Sequence, residues 1–236
     1  MDPVLIACSH GTASPDGQRA VAGLVAAVAR RRPDLDVRAA FVDVQEPTPA
    51  EVLSDVEGRE ARLVPLLLSA GYHVFVDLTE AVATTPHATV SPALGPDDRL
   101  ADLLRVRLEQ SGLQPRDRVV LAAAGSSEPS AVADCATVAE ALGRLVGRPV
   151  TAAYLSAAQP RVQDAVATLR RTPGRVVVAT YLLAPGFFAE LAARAGADVV
   201  TAPLLLPDEP PAEALVDIVL ERYRQDAEAR PRGVGG

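Results

Sequence analysis

Few side chains in this chain can act as a nitrogen base or as a nitrogen ligand of a metal. It contains three histidines, His10, His73 and His87, and no lysine. The missing lysine excludes Schiff-base chemistry and a Walker-type phosphate loop, because both depend on a lysine amine. Any reaction that uses an imidazole must therefore be built from these histidines.

His10 follows the short apolar run of residues 4–9 (VLIACS) and precedes Gly11. A short, partly β-branched apolar run bounded by turn formers predicts a buried parallel strand. Ligands of open α/β sheets bind beyond the carboxyl ends of the strands, which is where His10 would lie. A solvated turn histidine is the alternative, so the interpretation depends on the rest of the chain.

Two further strand ends carry ionisable groups. Asp43 and Glu46 follow a predicted strand over 37–42, and His73 follows a predicted strand over 62–68. The carboxyl ends of parallel strands meet at one sheet edge, so we expect these groups to converge with His10 on one cleft. Two imidazoles and a carboxylate suit a divalent first-row metal and leave coordination positions open.

Strands alternate with helix signals in the first half, which predicts right-handed crossovers and a parallel sheet. Ser14 followed by proline starts one helix, and Thr48 with Glu51 forms a capping box for the next. A weaker helix is predicted over 78–83 and an amphipathic one over 97–110. His87 lies in a turn before the predicted fourth strand, where we expect a structural role.

The second half of the chain repeats the plan of the first. Residues 119–126 echo 5–12, residues 152–160 echo 39–47, and residues 179–188 echo the run ending at 73. The repeat predicts an α/β fold of two similar units, each a four-stranded parallel sheet flanked by helices. The predicted boundaries are 1–112 and 117–236.

The two copies differ at the positions that could do chemistry. The pairs are His10 with Ala124, Asp43 with Ser156, Glu46 with Gln159, and His73 with Phe188. A duplicated fold needs its core in both copies but its reactive groups only once, whereas drift of surface residues would not remove four ionisable groups in one direction. We therefore assign the site to the first unit. The second unit, with its adjacent Phe187 and Phe188, is expected to wall the cleft.

Composition sets the broad class. The chain has 236 residues, 49% hydrophobic and 22% charged, which is typical of a globular protein. A net charge of −7 argues against nucleic acid as a partner. We expect no membrane span and a cytoplasmic location, since no apolar run reaches about 20 residues and no signal segment opens the chain. Cys8 and Cys135 lie in apolar stretches and are predicted to be buried free thiols. The oligomeric state stays open.

Three ordered motifs resemble the sirohydrochlorin chelatases of the CbiX/SirB type. They are residues 7–12 (ACSHGT), 40–47 (AFVDVQEP) and 64–73 (VPLLLSAGYH), and the resemblance extends over essentially the whole chain. In that family a divalent metal, Fe²⁺ or Co²⁺, is inserted without ATP into sirohydrochlorin or a related tetrapyrrole, on the route to sirohaem or cobalamin. The resemblance implies a tetrapyrrole partner, the metal as a substrate, and no organic cofactor.

The resemblance also implies roles for individual residues. His10 and His73 would bind the metal and accept protons, and Asp43 or Glu46 would orient an imidazole or relay protons. The family usually has glutamate where this chain has Asp43, which leaves Glu46 as a possible substitute. The implied substrate contacts are Ser9, Gly11, Gly71, Tyr72 and Phe75. An apolar run, 74–76, stands where the family tends to be polar or basic.

Three other classes of function are alternatives to a chelatase. A histidine phosphatase needs arginine before its strand-end histidine, and here that residue is Ser9. A metal-binding protein without catalysis would use the same ligands. A chelatase fold recruited to another metal-dependent small-molecule reaction is the third alternative.

Overall fold

The computed structural model describes residues 2–69, 72–83 and 85–225, and over 72–77 it describes the backbone alone. It contains two four-stranded parallel sheets. The first comprises β1 (Val4–Ser9), β2 (Val37–Phe41), β3 (Ala61–Pro65) and β4 (Ala88–Val90), in the order β2-β1-β3-β4. The second comprises β5 (Arg118–Ala123), β6 (Val150–Tyr154), β7 (Val176–Tyr181) and β8 (Val199–Val200), in the order β6-β5-β7-β8. The shared strand order confirms the predicted fold class.

Helices connect the strands in both units. In the first unit they are α1 (Pro15–Arg31), α2 (Pro49–Asp55), α3 (Tyr72–Ala83) and α4 (Asp98–Gln110). In the second they are α5 (Pro129–Val146), α6 (Val162–Leu169), α7 (Phe187–Ala193) and α8 (Glu213–Arg224). The predicted start signals are confirmed: Ser14 caps α1, and the reciprocal capping box of Thr48 and Glu51 starts α2.

Two predicted boundaries around the third strand were wrong. β3 ends at Pro65, three residues before the predicted end, and α3 begins at Tyr72 rather than at residue 78. Residues 74–76 (VFV) are weak helix formers, so the pattern alone did not extend the helix back over them. The earlier start places His73 in the first turn of α3.

A shared central core lies between the two sheets. On β1, Leu5 and Ala7 face this core, and Leu121 of β5 belongs to the same buried cluster. The alternate β1 residues, including Ile6 and Cys8, point to a separate cluster on the other face of the sheet. Within the described residues both cysteines are buried and unpaired, as predicted.

The last helix of each unit packs on the other unit. α4 packs against α5 and β7, whereas α8 packs against α1 and β3. Polar contacts between the units hold this exchange of α4 and α8 in place. Arg222 Nε donates to Ala93 O at 2.8 Å, and Arg99 Nη1 donates to Glu221 Oε1 at 2.9 Å. The boundaries predicted at 112 and 117 separate the two sheets, but they do not separate two independent cores. No helix in the described ranges is long and apolar enough to cross a membrane.

Candidate active site

His10 lies one residue beyond β1, exposed at the carboxyl edge of the first sheet. The loop that leaves β2 continues the sheet ladder beside it. Val42 N–H donates to Ser9 O at 3.0 Å, and Asp43 N–H donates to His10 O at 2.9 Å. The structure therefore brings the Asp43 backbone directly to the His10 backbone.

The Asp43 loop has a tight, internally bonded conformation. Asp43 Oδ1 accepts a hydrogen bond from Val44 N–H at 2.8 Å, and Asp43 O accepts one from Gln45 N–H at 2.7 Å. Val44 has a positive φ of 65°, which is rare for a β-branched residue, and its side chain is 57% exposed. The loop thus presents an apolar side chain beside an exposed carboxylate.

Gly11 is required by this loop. Its φ is +93°, and a Cβ on it would lie 1.9 Å from Asp43 O. The family resemblance implies that Gly11 admits a macrocycle, but the Asp43 carbonyl already demands a glycine here. Whether Gly11 also approaches a substrate stays a prediction.

A side-chain bond that sequence reasoning missed joins the same loops. Gln45 Oε1 accepts a hydrogen bond from Thr12 N–H at 2.9 Å, and Gln18 Nε2 donates to Thr12 O at 2.8 Å. Gln45 thereby fixes the segment after His10 to the segment after Asp43. The internal repeat marks Gln45, because the equivalent residue of the second unit is Ala158, which cannot make this side-chain hydrogen bond.

His73 is the second residue of α3, which follows β3, the strand beside β1. Its backbone therefore lies beyond the same sheet edge as His10. Tyr72 and Phe75 are in the first turns of α3. The side chains of these three residues, and all of Gly71, lie outside the described part of the structure, so their convergence on His10 stays a prediction.

The remaining predicted residues differ in accessibility. Glu46 is exposed, three positions beyond Asp43, whereas Ser9 is only 6% exposed at the end of β1. Of the predicted substrate contacts, Ser9 is the one that this geometry disfavours. His87 lies in an exposed turn, and its carbonyl accepts Ala61 N–H at the start of β3. That is the opposite sheet edge, in keeping with a structural role.

The described side chains alone do not form a closed metal cage. Among them, no group of three or more histidine, cysteine, aspartate or glutamate residues is close enough to hold a metal ion. The side chain of His73 is not among them.

The equivalent edge of the second unit repeats the backbone without the ionisable side chains. Leu155 N–H donates to Ala123 O at 2.9 Å, and Ser156 N–H donates to Ala124 O at 2.8 Å. Gly125 has a φ of +97°, and its Cβ would lie 2.0 Å from Ser156 O. Ala157 repeats the positive φ of Val44, at 52°. The strand registers thus confirm the pairing of His10 with Ala124 and of Asp43 with Ser156.

The second unit also touches the first beside His10. A Cβ on Gly17 would lie 2.3 Å from Pro185 O, and one on Gly186 would lie 3.1 Å from Thr12 Oγ1. These contacts seat the start of α7 against the loop that follows His10. Phe187 begins α7 with its ring 66% exposed, in an edge-on contact with Phe188 at a centroid distance of 5.7 Å.

The sequence profile of the CbiX family matches this chain over residues 4–111 and again over 118–194. The chain belongs to the CbiX family. The first matched segment contains all four strands of the first sheet and the second contains β5, β6 and β7 of the second sheet, so the family pattern is present in both halves of the internal repeat.

Curated CbiX relatives are shorter than this chain. The sirohydrochlorin cobaltochelatase of Methanococcoides burtonii is 27% identical over an alignment of 117 residues, which covers 89% of that protein and 42% of this chain. That of Methanosarcina barkeri is 27% identical over an alignment of 124 residues, which covers 95% of that protein and 45% of this chain. Each relative therefore has about the length of one unit.

Solved structures share the two-unit form. SirB from Bacillus subtilis with Fe³⁺ superposes with a TM-score of 0.77 at 21% identity, covering 95% of both chains. SirB from Bacillus subtilis subspecies spizizenii in complex with cobalt gives a TM-score of 0.70 at 16% identity, covering 95% of this chain and 94% of that one. At these identities the likeness shows the fold.

Proposed function

We propose that this CbiX-family protein inserts a divalent metal ion, Fe²⁺ or Co²⁺, into sirohydrochlorin or a closely related tetrapyrrole. The reaction needs no ATP and belongs to the synthesis of sirohaem or cobalamin. The proposal depends on one observation. The hydrogen bond from Asp43 N–H to His10 O joins two of the family motifs, 40–47 and 7–12, at the sheet edge where α3 begins within the third motif, 64–73.

The chemistry needs both metal ligands and proton acceptors. Insertion of a divalent ion into a free-base macrocycle releases two pyrrole protons, so bases must lie near the ring nitrogens. A neutral imidazole can bind the ion or take a proton. We assign both tasks to His10, which follows β1, and to His73, in the first turn of α3, because the backbones of both residues lie beyond the same sheet edge. Few ligands and an exposed position favour release of the ion to the macrocycle.

Asp43 is the carboxylate that we assign to the site. Its backbone is bonded to His10, and its Oδ2 has no hydrogen-bond partner among the described residues. That oxygen is free to orient an imidazole or to accept a proton. Glu46 is further along the exposed loop and serves as the second candidate.

The macrocycle would rest on apolar side chains around this edge. Val44 from the Asp43 loop and Phe187 from the second unit are both exposed beside the His10 loop. Tyr72 and Phe75 in α3, with Gly71 before them, are the other proposed contacts. A cytoplasmic location is part of the proposal, supported by the two buried, unpaired cysteines.

The test is the absorbance change on mixing the protein with sirohydrochlorin and either Co²⁺ or Fe²⁺. We expect insertion well above the uncatalysed rate, and we expect His10→Ala and His73→Ala each to abolish it. His87→Ala is the matched control, since it removes an imidazole from the opposite edge and should retain the wild-type rate. Wild-type rates in either site variant would refute that residue's role. Metal binding without insertion would instead favour a non-catalytic metal-binding protein.

A further inference from the structure

A buried tyrosine hydroxyl of the second unit reaches the segment between β3 and α3 of the first unit. Tyr181 is the last residue of β7 and is 2% exposed, and its Oη donates to Leu68 O at 2.8 Å. Burial raises the pKa of Tyr181 well above its ordinary value, so the hydroxyl remains a donor at any working pH. The bond therefore links the two units at a specific backbone carbonyl.

Leu68 is in the segment that leads from β3 to α3. The next residue, Ser69, lies beside the buried Cys135 of α5, again in the second unit. Burial raises the pKa of the Cys135 thiol to about 11, and a hydrogen bond with the Ser69 side chain opposes that rise. Two adjacent residues of the first unit are thus held by two side chains of the second, just before α3 starts at Tyr72.

Gly95 leaves the space for this contact. A Cβ on Gly95 would lie 2.2 Å from Leu68 O and 2.5 Å from Tyr181 Oη. Any larger residue would have to push the donor or the acceptor aside. The close approach is therefore built by three separate segments: the end of β7, the segment after β3 and the segment before α4.

The arrangement is not repeated in the other direction. By strand and helix register, the residues equivalent to Tyr181, Cys135 and Gly95 are Leu66, Val21 and Leu205. None of these can donate a side-chain hydrogen bond or leave the same gap. In the second unit the carbonyl equivalent to Leu68 O is Leu183 O, and it accepts Leu205 N–H of its own unit at 2.8 Å.

We infer that Tyr181 is a positioning residue for the reaction, through which the second unit fixes the segment that carries His73. The expected change in kcat rests on the proposed function, whereas the expected effect on the position of the segment that carries His73 does not. His73 is five positions beyond Leu68, at the start of a helix whose entry is set by this segment. A tether at Leu68 and Ser69 limits how far the start of α3, and with it the backbone of His73, can move relative to β1.

The test is Tyr181→Phe, which removes the hydroxyl and keeps the ring in the core. Tyr154→Phe is the matched control. Tyr154 is 3% exposed in the same core, and its Oη donates to Val132 O at 3.2 Å within the second unit. We expect kcat for metal insertion to fall roughly tenfold in Tyr181→Phe with KM for the tetrapyrrole within about twofold, because catalytic geometry is sensitive to small displacements. Tyr154→Phe should retain the wild-type kcat.

A second measurement does not depend on catalysis. The chain has three histidines, so the imidazole NMR signals of the whole protein can be assigned with single His→Ala variants. We expect the His73 signal to shift or broaden in Tyr181→Phe and to match wild type in Tyr154→Phe. If wild-type protein inserts no metal, the proposed function fails while this test of the tether still stands.

Two outcomes would overturn the inference. One is an unchanged His73 signal in Tyr181→Phe, and the other is an equal loss of kcat in both tyrosine variants. If Tyr181→Phe does not fold, Cys135→Val replaces it, because valine is the residue at the equivalent position of α1 and fits a buried helix face. That variant should also shift the His73 signal, and an unchanged signal would overturn the inference equally.

Discussion

Replacing Gly11 with alanine should destroy metal insertion, whereas replacing Gly125 should only destabilise the fold. The two glycines are in equivalent loops with φ values of +93° and +97°. Their added Cβ atoms would lie 1.9 Å from Asp43 O and 2.0 Å from Ser156 O. The perturbation is therefore almost identical in geometry, and the two variants differ only in the side chains that the loops carry.

The cost in stability can be built from two terms. Holding alanine in this backbone region costs about 1–3 kcal/mol. Relieving the clash must move the Asp43 or Ser156 carbonyl, which weakens one loop hydrogen bond worth about 1 kcal/mol. Because both units share the central core, unfolding should be one cooperative transition. A loss of about 2–4 kcal/mol in a chain of this size lowers Tm by roughly 5–15 °C.

The effect on activity should separate the two variants. In Gly11→Ala the shift moves Asp43 relative to His10, and a displacement near 1 Å can cost about 100-fold in rate. In Gly125→Ala it moves Ser156 relative to Ala124, neither of which is ionisable. We expect near wild-type insertion there. Tm is measured by circular dichroism, and the rate by sirohydrochlorin absorbance with Co²⁺ well below the lower Tm. Equal losses of rate in the two variants would refute the assignment of the site to the first unit.

Two further predictions concern the second unit. Phe187→Ala should leave the free energy of unfolding nearly unchanged, but it should weaken tetrapyrrole binding in a spectroscopic titration, since Phe187 is exposed beside the His10 loop. Phe188 is half-buried, so Phe188→Ala should reduce the free energy of unfolding by less than the roughly 3–5 kcal/mol lost with a fully buried phenylalanine. Equal binding losses in both variants would contradict this division. Asp117 is paired with Arg175 at 2.7 Å, and this arginine holds the pKa of the Asp117 carboxyl below its ordinary value of 3.8. A carboxyl with a lowered folded pKa stabilises the fold above its unfolded pKa and loses that contribution as pH falls through the folded value. The stability deficit of Asp117→Asn in urea should therefore be present at pH 7 and shrink below about pH 4, and a deficit independent of pH would contradict the ion-pair explanation.

The sequence predicted most where local signals are strong. The structure confirms the capping box at Thr48, the strand-end glycines and the pairing of His10 with Ala124. Each of these features depends on neighbouring residues or on a repeat that keeps its register. The start of α3 was missed because its first residues have low helix propensity and are helical through their place in the crossover. A predicted amphipathic helix shows that it has a face to bury, but not which sheet covers that face. This is why the exchange of α4 and α8 did not follow from periodicity. The contact of Tyr181 with Leu68 joins residues 113 positions apart, and no local pattern marks it.

The second unit lacks the ionisable groups of the first at these strand ends but has the same backbone geometry. Ala157 keeps a positive φ at a position where nothing catalytic follows, and Gly125 keeps the same approach to a carbonyl as Gly11. These features therefore belong to the edge of the sheet and would be needed with or without chemistry. What differs between the units is where each one touches the other. α8 covers β3, Pro185 packs on Gly17, and Tyr181 reaches Leu68, so the second unit supports the sheet, the loop and the segment that carry the proposed site of the first. The site that we propose for the first unit is therefore built against the second unit.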